Sequence, residues 1–137
     1  MNETLSKFLL LPDVNKLEGE IYLERFDTAF KFKAMTDAQM DEYRESCMKK
    51  EIVKQGKKAK KVESMDFNKF KKLVIVNHVI EPNMADADFL RQGGWLTPSE
   101  FIEAKLTPGE VLDLYQAING LSGFSEKFEE DVEDAEN

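Results

Sequence analysis

Two stretches near the N-terminus alternate between apolar and polar positions. Over residues 19–25, Ile21 and Leu23 fall on one side and Glu20, Tyr22 and Glu24 on the other. Over residues 28–35, Phe30 and Phe32 alternate with Lys31 and Lys33. A period of two marks half-buried strands, and the short link at Phe26 and Asp27 predicts an antiparallel hairpin. Ahead of it, residues 2–11 set Leu5, Phe8 and Leu9 along one side of a short amphipathic helix that Pro12 ends.

The period then changes to that of a helix. Thr36, Asp37, Ala38 and Gln39 form a capping box, in which the threonine hydroxyl accepts from a free N–H and the glutamine reaches back. Met35 and Met40 flank it as a hydrophobic staple, and Tyr43 and Cys47 continue the stripe to about Lys50. The Lys-rich segment 49–61, around Gln55, Gly56 and Lys57, reads as a loop or an exposed hairpin tip. A second helix is predicted from Asp66 to Ile80, with Phe67, Phe70, Val74 and Asn77 on one stripe and Leu73, Val76 and Ile80 widening it. Residues 73–76 also suit a buried strand; the lysines before them and the overall length favour the helix, which Pro82 stops.

The last third carries two more capping boxes. Thr97-Pro98-Ser99-Glu100 and Thr107-Pro108-Gly109-Glu110 each put Thr at the cap, Pro at the first helical position and Glu at the third. Leu96 with Phe101 and Leu106 with Val111 are the matching staples, and Gly120 is placed just past the end of the last helix. The sum is an α+β fold: a small antiparallel β-hairpin near the N-terminus packed on a mostly α-helical domain. Residues 1–125 form a single domain, and the acidic tail 126–137 is predicted to be disordered.

Composition adds bounds. At 137 residues, with 42% hydrophobic residues including ten Phe, the chain is long enough for one core of its own. No run approaches the ~20 apolar residues that span a bilayer, and Leu9-Leu10-Leu11 is too short for a signal-peptide core. A lone cysteine, Cys47, fits a reducing compartment, so the cytoplasm is expected. The net charge of −8 is uneven: residues 49–61 hold seven lysines against Glu51, and residues 126–137 hold seven acids against Lys127. An acidic body argues against general nucleic-acid binding, which needs a positive face.

Little in the chain assembles a reaction. His78 is the only histidine, has no Cys, Asp or Glu four residues away, and reads as a helix-surface or boundary residue. Cys47 sits on the stripe of Met40 and Tyr43, where core packing explains it better than nucleophilic chemistry. Asp86 with Asp88, and the acids from Glu129 to Glu136, fall in a loop and in the tail, without the rigid cleft that paired carboxylates require. Gly93-Gly94 before Trp95 is a turn with no phosphate-binding signature around it. No catalytic residue, cofactor or metal is expected; the protein reads as a binder of other proteins. The lysine segment reads most simply as a flexible, solvated loop; it is also the feature that asks for a partner, an acidic protein surface first, with Lys57, Lys58, Lys60 and Lys61 as the candidate contacts. Its alternative reading is a small nucleic-acid-binding regulator using residues 49–61, although the aromatic residues expected of single-strand binders are missing there.

The order of these elements resembles the XkdN-like tail assembly chaperones of phages and prophages of Gram-positive bacteria. The resemblance covers residues 30–124. It rests on Phe30-Lys31-Phe32-Lys33-Ala34 leading into Thr36, on Tyr43 to Lys50, on Asp66-Phe67-Asn68-Lys69-Phe70 running to Glu81-Pro82-Asn83, and on Ala104-Lys105-Leu106-Thr107-Pro108-Gly109-Glu110 with Leu114 and Asn119-Gly120-Leu121. It departs from the family pattern at residues 90–95. The resemblance implies a non-catalytic assembly factor that binds the tape-measure protein, keeps its hydrophobic helix soluble and recruits tail-tube subunits. Such a protein works in the host cytoplasm and is absent from the mature virion. The family is also associated with a longer, frameshifted product, and a second copy of the chain is a further candidate partner.

Overall fold

The computed structural model describes residues 2–124, so the tail 126–137 lies outside the described residues. Helix α1 (Glu3–Leu9) leads through a 3-10 turn (Val14–Lys16) into strand β1 (Glu18–Leu23). A second 3-10 turn (Glu24–Phe26) and Asp27, in the left-handed conformation, reverse the chain into β2 (Thr28–Lys33). The predicted hairpin is present in full register, from Glu18 opposite Lys33 to Leu23 opposite Thr28. Its inner face carries Leu23, Phe30 and Phe32, all buried, while Glu20, Tyr22 and Lys31 are exposed. Gly19 faces Phe32 across the pair, and a Cβ there would meet the Phe32 ring at 3.0 Å. A strand glycine marks such a close approach.

The hairpin is extended by a third strand that the sequence reading placed inside a helix. Helix α2 (Asp37–Ser46) is followed by strands β3 (Met48–Gln55) and β4 (Lys58–Met65), then by α3 (Phe67–His78) and β5 (Val79–Glu81). β5 pairs antiparallel with β2, giving the sheet order β1-β2-β5. Helix α3 thus stops at His78 rather than Ile80. The residue before a proline is pushed out of the helical region, and the β-branched pair Val79-Ile80 takes up the extended conformation well. Asn77, expected on the apolar stripe, is exposed; the buried side is Phe70, Val74, Ile75 and His78.

Helix α2 also ends earlier than expected. Cys47 caps it, and Met48 already belongs to β3, so residues 48–65 form one long hairpin; of the two readings of the lysine segment the exposed hairpin tip holds, and its strands run further than expected. Its two-residue turn has Gly56 at φ +63 in the first central position, which is where a II′ turn places glycine.

Three more helices follow: α4 (Ala87–Gly93), α5 (Pro98–Lys105) and α6 (Pro108–Leu121). Helix α4 stands where a loop was expected. Asp86 is its cap, accepting from the Phe89 N–H at 2.9 Å, and Gly94 ends it at φ +78. The last helix runs past Gly120 to Leu121, and the left-handed glycine beyond it is Gly123, at φ +99. Helices α3 and α6 pack together beneath the sheet. Val74, Ile75, Ile102, Leu114 and Ile118 have no exposed surface, and Tyr115 meets Phe67 and Phe70 edge-on at 5.4 and 6.0 Å between ring centres.

The capping boxes at Thr36 and Thr107 are complete. At Thr97 half the box forms: its hydroxyl accepts from the Glu100 N–H, but the Glu100 carboxylate takes the Leu96 N–H instead. The staple there is replaced as well. Leu96 is 87% exposed, and Trp95 packs on Phe101 and Phe89 in its stead, at 5.1 and 5.5 Å. At the other box Arg25 binds the Glu110 carboxylate and the Lys105 carbonyl, tying the first hairpin to the start of α6. That hydrogen-bonded guanidinium holds the Glu110 carboxyl below the usual carboxylate range. Thr97→Ala and Thr107→Ala should each cost about 1 kcal/mol, the usual loss for a cap. Urea melts of the two variants beside the parent check this; unchanged midpoints in both would mean that the caps do not set these helix starts.

Candidate functional site

The residues with chemical potential fall into two places, one buried and one fully exposed. The buried one is His78. It has no exposed surface, against the expectation of a helix-surface or boundary residue. Its position explains why: as the last residue of α3 it points beneath the sheet, between β2 and α2. Nδ1 lies 3.1 Å from the Lys33 carbonyl and Nε2 lies 2.9 Å from the Tyr43 hydroxyl. A carbonyl only accepts, so Nδ1 carries the proton and Nε2 accepts from the tyrosine. Burial lowers the imidazole pKa, partly offset by the Lys33 carbonyl, and raises that of Tyr43. Both groups are therefore neutral and paired, which is the arrangement of a structural bridge.

Cys47 is buried at the end of α2, and burial pushes its thiol up from the ordinary value, away from the nucleophilic thiolate. Asp86 is engaged as a helix cap, and Asp88 pairs with Arg91 at 2.6 Å. The acids from Glu129 to Glu136 lie outside the described residues. Among the described residues no group of three or more His, Cys, Asp or Glu side chains could hold a metal ion. No helix among them is long and apolar enough to cross a membrane.

The exposed place is the β3–β4 arm. Every residue from Met48 to Ser64 is exposed, and the two strands pair in an unbroken register from Met48 opposite Met65 to Gln55 opposite Lys58. Eight residues a strand give a length of about 26 Å. The base is anchored by the Asp66 N–H donating to the Cys47 carbonyl at 2.8 Å and by Lys49 paired with Asp66 at 3.4 Å. Asp66 also caps α3 through the Lys69 N–H, and that hydrogen bond is the first cause of its lowered pKa.

Strand pairing redistributes the candidate lysines. Lys57 stands at the turn, Lys58 and Lys60 share one face with Lys49, and Lys61 lies on the other with Lys50 and Lys54. A run that looks like one cluster in the sequence is thus wrapped around both faces and the tip. Apolar side chains alternate with it: Ile52, 69% exposed, sits opposite Lys61, and Val53 sits opposite Lys60. The apolar part of this surface was missed by counting charge; the β-branched residues Ile52, Val53 and Val62 among the lysines were the available signal. The arm is a cationic ribbon with apolar side chains on both faces and two bare strand edges.

The described residues form a small α+β body from which one exposed, lysine-rich β-ribbon projects. Over residues 5–136 the sequence matches the family described as phage XkdN-like tail assembly chaperone protein, and the chain belongs to that family. Among solved structures it is similar to the crystal structure of the protein yqbn, a structural genomics target. That likeness covers 85% of this chain and 95% of that one, with a TM-score of 0.61 at 18% identity, and it bears on the fold alone. No protein of curated function matches the chain.

His78 yields a pH dependence. Its folded pKa is depressed from 6.5 by burial, so between the folded and unfolded values the unfolded chain holds more protons. The stability it contributes is complete above pH 6.5 and is lost as pH falls through the folded value. Thermal midpoints should drop from pH 7 towards pH 5, and His78→Gln should drop less across that range while starting lower. An equal pH slope in parent and variant would mean that another group carries the effect.

Proposed function

We propose that this protein is a non-catalytic assembly factor for a phage or prophage tail, binding the tape-measure protein and tail-tube subunits. The observation that carries the reading, beyond family membership, is the arm: seven lysines against Glu51 and Glu63, interleaved with Ile52, Val53 and Val62 on an exposed ribbon. A tape-measure protein is long, helical and hydrophobic, as the family resemblance implies. A chaperone for it needs apolar contacts that are kept soluble by charge until the client arrives. Lysines on bare strand edges supply that protection, because they oppose strand-to-strand association between copies. The work is done in the cytoplasm of a Gram-positive host, and the chaperone leaves before the virion is complete.

Lys57, Lys58, Lys60 and Lys61 are the partner contacts in this proposal. Replacing the four with Glu should reduce capture of the tape-measure protein about tenfold or more in a pull-down, with little change in thermal midpoint because all four are exposed. The loss should narrow as salt is raised, since exposed charges are screened. Full capture by the variant would remove the arm from the interface. Duplex and single-stranded DNA should not bind specifically at physiological salt; a micromolar, sequence-preferring complex would favour the nucleic-acid regulator instead.

The domain division belongs to the same proposal. Residues 1–125 fold without residues 126–137, whose seven acids offer little to bury. Deleting the tail should leave the thermal midpoint nearly unchanged; a drop of several degrees would show that it docks on the body.

A further inference from the structure

Positive charge is handled differently on the body of this molecule and on its arm. On the body, Arg25 binds Glu110, Lys31 pairs with Glu81, Lys72 with Glu103 and Arg91 with Asp88. Lys69 donates to the Ser46 carbonyl, and Lys71 lies over the Phe67 ring. The other body cations are spread over separate elements, one on each. On the arm, Lys49 and Lys50 reach Asp66 and Glu63 near the root. Lys54, Lys57, Lys58, Lys60 and Lys61, further out, have no ion-pair partner among the described residues. Among them stand Ile52, Val53 and Val62, each 40% exposed or more. Like charges so concentrated repel one another, and they attract any flexible acid within reach.

The chain carries a matching complement. Residues 126–137 hold seven acids against Lys127, with Phe128 and Val132 between them, so the segment repeats the arm's make-up with the charge reversed. Its origin is fixed by the end of α6. The Phe124 N–H donates to the Asn119 carbonyl at 3.0 Å, and the Ser122 hydroxyl accepts from the Met35 N–H at 2.9 Å. Met35 stands just before α2, whose ten residues run about 15 Å to Cys47 at the arm's root. Lys60 and Lys61, opposite Val53 and Ile52, lie about 17 Å along the ribbon from that root. The path over helix and ribbon is thus about 32 Å, an upper bound on the straight distance. Residues 125–137 extend to about 43 Å, enough to bring their acids level with these lysines.

We propose that residues 126–137 lie along the β3–β4 arm of the same molecule and are displaced from it by the client. Their acids face the outer lysines, and Phe128 and Val132 cover Ile52, Val53 and Val62. The displacement rests on the reading of the arm as the client contact; the contact between tail and arm does not. Exposed ion pairs are individually weak, but a tethered segment meets its site at high effective concentration. Such a contact shields the apolar side chains of the arm and still yields to a client that binds more tightly. It is made by side chains, so the backbone N–H groups along the arm's edges stay open. It involves no residue of the buried core, and the thermal midpoint does not depend on it.

The first test needs no client. A carbodiimide joins a carboxylate to a lysine amine where the two are in contact, and mass spectrometry of a digest maps the joins. In the full chain, joins from the acids of residues 126–136 should fall on Lys54, Lys57, Lys58, Lys60 and Lys61, and should fade at about 0.5 M salt. In a mixture of heavy-nitrogen-labelled and ordinary copies they should stay within one copy. Absent joins, joins chiefly to lysines of the body, or joins between copies would each overturn the contact. The second test is capture of the tape-measure protein by a full-length variant whose tail acids are amides: Glu126→Gln, Glu129→Gln, Glu130→Gln, Asp131→Asn, Glu133→Gln, Asp134→Asn and Glu136→Gln. It should bind about three- to tenfold more tightly than the parent, because affinity is reduced by the fraction of covered arms. Equal capture by the two would overturn the displacement. The two readings fail separately. Joins missing from a parent that loses its client when Lys57, Lys58, Lys60 and Lys61 become Glu overturn the tail contact alone. A client kept by that arm variant overturns the displacement together with the arm reading.

Discussion

One imidazole, deep in the molecule, fixes the meeting of three elements. His78 ends α3, donates to the Lys33 carbonyl at the end of β2 and accepts from the Tyr43 hydroxyl on α2. A polar group this deeply buried is costly unless its hydrogen bonds are made, and both ring nitrogens are satisfied only when all three elements are in place. The next residue, Val79, then pairs with Phe32 and starts the third strand. The apolar layer of Val74, Ile75, Leu114 and Ile118 supplies most of the driving force beneath the sheet. It is non-directional, however, and the histidine bridge gives the packing its single register.

Outside that core, the most exposed element is the β3–β4 arm. The β3–β4 arm leaves the body between α2 and α3, with Asp66 and Cys47 at its root. A two-stranded ribbon exposed along its length is marginal on its own. Such an element is the part of a molecule most easily ordered by a partner. Helix α1 carries further exposed apolar side chains, Phe8 and Leu9.

The parts of this structure written in local chemistry were legible from the sequence, and those decided by tertiary contact were not. Thr36 and Thr107 announced their helices through side-chain-to-backbone hydrogen bonds that need nothing beyond four residues. The first hairpin was legible because Phe30 and Phe32 alternate with lysines over a half-buried face. Strand β5 was not, since three residues cannot display a period, and only the edge of β2 turns them from helix to strand. Helix α4 is similarly short, and its cap Asp86 looked like half of a carboxylate pair. His78 was misread because Asn77 fits the stripe nearly as well by spacing; the choice between neighbours is made by what lies across the core. The candidate lysines were visible as charge, but pairing in the arm decided which of them share a face.

Hydrogen exchange of the protein, free and bound to the tape-measure protein, tests the central claim most directly. The account predicts that amides of residues 48–65 exchange quickly in the free protein and become the most strongly protected in the complex, while those of α3 and α6 are slow in both. A complex in which the arm exchanges as fast as before, with protection elsewhere on the body, would contradict it.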